Sequence, residues 1–64
     1  PNPSNNTFHI QAPDFRKVEV FNMQGELLFE TKKKEINLEK NPSGIYLLKI
    51  LLGTDQIMRK IMLE

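Results

Sequence analysis

Residues 41–50, Asn-Pro-Ser-Gly-Ile-Tyr-Leu-Leu-Lys-Ile, join a turn to the most apolar run of the chain, and their reading decides the fold. Asn41, Pro42, Ser43 and Gly44 suit the successive places of a type I β-turn: an acceptor side chain first, proline with its preset φ second, glycine last. From Ile45 to Leu52 one pleat face carries Tyr46, Leu48, Ile50 and Leu52, and the other carries Ile45, Leu47, Lys49 and Leu51. A strand apolar on both faces belongs in the middle of a sheet or sandwich. Shorter, half-polar strands are expected to cover it.

Working outward, Gly53-Thr54-Asp55 predicts a reversal, and Gln56 to Leu63 returns along the central strand. Ile57, Arg59, Ile61 and Leu63 then share one face, and Met58, Lys60 and Met62 the other. Ile57, Met58, Ile61 and Met62 also fit helical spacing; the short length and the preceding hairpin signal favour a strand. On the other side, Glu35 to Leu38 reads as a short strand with Ile36 and Leu38 apolar, preceded by a connection of Lys32, Lys33 and Lys34. Asn22-Met23-Gln24-Gly25 predicts a tight hairpin in which glycine takes the left-handed position. It joins Phe15–Asn22, with Val18 and Val20 inward and Phe21 opposite, to Glu26–Thr31, with Leu27 and Phe29 on one face and Leu28 and Glu30 on the other. Thr7 to Gln11 alternates as a half-buried first strand, with Phe8 and Ile10 inward and His9 in water.

Turn signals at roughly even spacing and no repeat predict an all-β fold, a small antiparallel Ig-like β-sandwich of six to seven short strands. The 64 residues are expected to form a single domain, residues 1–64, with residues 1–6 as the end of a linker in which Pro3 fixes φ. The chain opens Pro-Asn-Pro without a leader, so it reads as the C-terminal piece of something longer.

The composition excludes several classes of function. Nine Lys and Arg against eight Asp and Glu give a net charge of +1, too weak a field to attract nucleic acid or an anionic membrane. The longest apolar run is too short to span a bilayer, so membrane insertion is not expected. One His and no Cys rule out most nucleophilic triads, and His9 has neither a second histidine nor a carboxylate at ligand spacing, so no enzymatic activity, cofactor or metal is expected. An exposed strand position accounts for His9, and a solvated hairpin loop accounts for the three lysines. Tyr46 is expected in the core with its hydroxyl at the rim, and Met23, Met58 and Met62 are expected to fill gaps. From the residues alone, the reading stops at a small β-domain without catalytic equipment.

Four stretches in order carry the argument further. They are Pro1-Asn2-Pro3-Ser4-Asn5-Asn6 with the first strand; Val18 to Phe21 ending in Asn22-Met23-Gln24-Gly25; Ile36-Asn37-Leu38 with Asn41-Pro42-Ser43-Gly44-Ile45-Tyr46; and the terminal Lys60-Ile61-Met62-Leu63. Together they resemble the C-terminal sorting domain (type A, Por secretion family) of proteins exported by the type IX secretion system of Bacteroidetes-type bacteria. The resemblance covers essentially the whole chain. Departures are small: Glu26 stands where an uncharged polar residue is common, Arg59 begins the usual basic pair, and Glu64 ends the chain where Lys or a neutral residue is frequent.

The resemblance implies a C-terminal secretion signal. Its implied partners are the outer-membrane translocon, shuttle proteins, a sortase-like peptidase that removes the domain upstream, and an N-terminally fused cargo. The implied location is the periplasm in transit, then the cell surface or the medium. Pro3, Asn22, Gly25, Pro42, Gly44 and Tyr46 are expected to set turns and motifs, and Arg59, Lys60, Ile61, Met62 and Leu63 of the last strand, with Lys49 beside it, to be what the translocon recognises. The alternative is an Ig-like or fibronectin-like binding or structural module of an extracellular enzyme, which calls for a cluster of exposed aromatics where the sequence offers mainly Phe15 and Phe21.

Overall fold

The computed structural model describes residues 6–63. Pro3 and the rest of the opening segment, and the terminal Glu64, lie outside the described residues. The strands are β1 (Thr7–His9), β2 (Lys17–Phe21), β3 (Leu27–Thr31), β4 (Glu35–Asn37), β5 (Gly44–Leu51) and β6 (Gln56–Leu63). They form a four-stranded sheet in the order β3-β2-β5-β6 and a two-stranded sheet, β1-β4, antiparallel throughout. The result is the expected small Ig-like sandwich, with β5 inside the larger sheet between β2 and β6.

The core lies between the two sheets. Val18 and Val20 of β2, Tyr46, Leu48 and Ile50 of β5, and Leu63 of β6 meet Ile36 and Leu38 from the β4 side. Phe8, Ile10, Phe15, Phe29, Leu52, Ile57 and Ile61 pack around them, half-buried. Burial alternates along β2 and β5, the period-2 signature of strands with one face in a core. In β6 the same period decides between strand and helix: Ile57, Ile61 and Leu63 turn inward while Met58, Lys60 and Met62 are exposed.

The Asn22 hairpin forms as its sequence predicts. Gly25 donates its N–H to the Asn22 carbonyl at 3.0 Å and has φ of 85°. The Asn22 Oδ1 accepts the N–H groups of Gln24 (2.9 Å) and Glu26 (3.0 Å), and its Nδ2 donates to Glu26 Oε1 at 2.8 Å. One side chain thus ties the whole turn, which is what asparagine at the head of a turn can do and an aliphatic residue cannot.

The structure differs from the sequence reading at several places. The hydrogen-bonded reversal before β5 falls on Leu38–Asn41, where Asn41 donates to the Leu38 carbonyl at 2.9 Å. The reason is Asn37, whose Oδ1 takes the Glu39 N–H at 2.7 Å and starts the bend early. Gly44, with φ of 145°, then opens β5 rather than closing a turn. Leu27 does not share the face of Phe29: a register shift at Val20/Phe21 sets it opposite Phe21, and it is 53% exposed. The lysine segment is not a hairpin loop, because β3 and β4 belong to different sheets and the three lysines cross between them. Finally, the methionines do not fill core gaps; Met23, Met58 and Met62 are all exposed, Met62 at 65%. The outer face of the large sheet has no second layer over it, so Ile45, Leu47 and Leu51 are only half-buried, shielded by cross-strand neighbours such as Phe21, Met62 and the Lys60 stem.

Candidate recognition surface

The last strand is long, pairs on one side only and ends the larger sheet. Its pairing parity follows from the hairpin that starts it. Leu52 donates its N–H to the Asp55 carbonyl at 2.9 Å, so the register that sets Ile50 against Ile57 and Leu48 against Arg59 alternates bonded and non-bonded pairs from that point. Ile57, Arg59, Ile61 and Leu63 bond to β5. The backbone N–H and C=O groups of Met58, Lys60 and Met62 therefore point away from the sheet, along an edge that is unpaired among the described residues.

The sequence-predicted recognition residues do not form one cluster of side chains. Lys49, Lys60 and Met62 stand on the outer face, where Lys49 lies opposite Glu19 and Met58, Lys60 opposite Leu47, and Met62 opposite Ile45. Arg59, Ile61 and Leu63 are on the inner face; Leu63 is buried, Ile61 half-buried and Arg59 exposed. Lys49, on β5, is half-buried between its neighbours. What the β6 residues share is the strand itself and its edge.

Of the residues expected to set turns and motifs, Asn22, Gly25 and Pro42 lie in the connections, and Gly44 and Tyr46 in β5. Asn22 and Gly25 hold the β2–β3 hairpin, and Pro42 offers its carbonyl to the Tyr46 hydroxyl at 2.5 Å. Tyr46 is 6% exposed, so its ring fills the core while its hydroxyl clamps the segment leading into β5, as tyrosine corners do in other sandwiches. At Gly44 a Cβ would meet nothing within 4 Å, so its backbone angle, not lack of space, requires glycine.

Between β1 and β6 the sandwich stays open. A groove of about 270 Å³ runs there, with Phe8 and Ile10 on one wall and Leu48, Ile57 and Ile61 on the other. Arg59 stands in it on the inward side of β6, opposite Leu48 in the register, and is exposed, with no third strand of the small sheet over it among the described residues. The ion pairs among the described residues belong to Lys17, with Glu30 at 3.2 Å and Glu19 at 3.7 Å; Arg59 has none. Sequence reasoning placed Phe8 and Ile10 inward but missed this groove. The available signal was Arg59 itself, a charge at an inward position of an otherwise apolar face.

No curated protein matches the chain. A family model described as the secretion system C-terminal sorting domain matches residues 1–64. Because that match runs the length of the sequence, the protein belongs to the C-terminal sorting domain family, the signals for type IX secretion that its four sequence motifs resemble.

Proposed function

We propose that this domain directs an N-terminally fused cargo from the periplasm through the type IX outer-membrane translocon, that its last strand is the part the machinery reads, and that a sortase-like peptidase then cuts upstream of it. The observation that carries this reading is β6: an eight-residue strand with one unpaired edge, basic at Arg59 and Lys60. A long free edge invites pairing by a partner strand, and natural proteins usually shorten or cover such edges unless they are used. The two basic residues keep it from pairing indiscriminately while giving an acidic partner something to find. The turn residues Asn22, Gly25, Pro42, Gly44 and Tyr46 act at a distance, by fixing β5, on which β6 is laid. Pro3 and the linker residues join the domain to its cargo.

Fusing residues 1–64 behind a periplasm-directed fluorescent reporter tests the reading. In a bacterium with a working type IX system the reporter is expected in the medium or on the cell surface, and in a translocon-null strain it stays in the periplasm. A reporter retained equally in both strains, with the domain folded, ends the sorting assignment for this chain and favours an accessory binding module.

A further inference from the structure

The inner face of β6 raises a question that its outer edge does not. Among the described residues the larger sheet has four strands and the smaller has two, so the small sheet stops at β1 while β6 continues beneath the gap. Among the described residues the edge of β1 on that side is also unpaired. Ile10 donates its N–H to the Lys34 carbonyl at 2.7 Å and Leu38 donates to the Asn6 carbonyl at 2.8 Å, which sets the even-numbered residues of β1 toward β4. The backbone N–H and C=O groups of Thr7 and His9 therefore face the open groove.

We infer that this groove receives an extended, acidic strand of a partner protein, which joins the small sheet at β1 and lays its side chains on Ile57, Arg59 and Ile61. Three features on the molecule specify that occupant. The walls are apolar, which calls for apolar residues at alternate positions of the incoming strand. Among the described residues the lining contains a guanidinium without an ion-pair partner and no carboxylate, so the position facing Arg59 calls for Asp or Glu. The unpaired edge of β1 supplies main-chain hydrogen bonds that fix the strand's register whatever its sequence. An inward charge on an edge strand also blocks casual insertion by apolar strands, because burying Arg59 without a counter-ion costs more than the apolar contact returns. The same residue thus excludes wrong strands and selects an acidic one. This inference rests on the reading of the last strand as the recognised one, and specifies which of its faces is read.

The test uses the 64-residue chain and a blocked synthetic peptide with valine, glutamate and valine at alternate positions and threonine between them. Amide exchange by NMR is expected to slow at Thr7 and His9 when the peptide is added. A peptide with lysine in place of the glutamate is expected to bind roughly fivefold more weakly, and Arg59→Gln to remove that difference. Arg59→Glu is expected to reverse the preference, a readout that a merely structural role for Arg59 does not give. The proposal is overturned if neither peptide binds at millimolar concentration, if the two bind equally, or if protection appears at Met58, Lys60 and Met62 instead. The last result moves the partner strand to the outer edge of β6 and leaves the sorting assignment standing. Equally, a chain that exports its reporter but takes no peptide loses the groove alone, whereas one that fails both tests loses the assignment as well.

Discussion

The two flanks of β5 are built differently. Toward β2 the molecule is closed: Val18 and Val20 are fully buried, β3 continues the sheet, and Asn22 ties the connecting turn through its own side chain. Toward β6 it is open: Ile57 and Ile61 are half-buried, Arg59 is exposed on an inward position, and the edge beyond is unpaired. A chain of this length can bury only about 60% of its unfolded surface, so it has little core to spare. Leaving one flank open in so small a domain has a cost; the closed flank holds most of the core, and the open flank supports the proposal that a partner binds there.

The comparison can be broken most directly in the core. Leu38→Ala removes a fully buried side chain and is expected to cost about 2–5 kcal/mol, measured as a shift in the urea midpoint. Total stability for a domain of this size is on the order of 3–10 kcal/mol, so that variant should lose a large share of its margin. Ile61→Ala, on the open flank, is expected to cost about half as much or less, because its side chain already touches water. Equal losses at the two sites would erase the distinction.

The glycines sharpen it next. Gly44→Ala forces a φ of 145° on an L-residue and is expected to cost about 1–3 kcal/mol, although nothing stands in the way of its Cβ. Gly53→Ala meets only ordinary contact with Asp14 at 3.5 Å and no unusual φ, so thermal melting should move little, within about 0.5 kcal/mol. The smallest effect is expected at Met62→Gln. Its side chain is 65% exposed on the uncovered outer face, and the substitution should leave the urea midpoint unchanged within about 0.5 kcal/mol.

Much of the closed flank was legible in the sequence, and the reasons are physical. Alternation at Lys17–Phe21 and Gly44–Leu51 reports directly which residues face a core, and Asn22-Met23-Gln24-Gly25 contains every group its turn needs. The open flank was less legible because it depends on pairing between strands distant in the sequence. Nothing within Thr7–His9 says that its partner is Glu35–Asn37, or that the small sheet stops there. The methionines misled for the same reason: Met58 and Met62 look like core residues until the outer face of the sheet is known to lack a second layer. At Leu27 a register shift of one residue overruled the period. In the candidate recognition strand the alternation already divided the residues into two faces, and the topology added which is outer, with Lys60 and Met62, and which is inner, with Arg59 and Ile61.

The central claim is that exposed residues of β6 carry recognition without carrying stability. The measurement that tests it most directly is the extracellular fraction of a reporter fused to the chain bearing Arg59→Glu and Lys60→Glu together, with the melting curve of the same protein as its control. Both residues are exposed, so the account predicts melting close to that of the unaltered chain and a reporter held in the periplasm. Undiminished export by a folded double variant would contradict it.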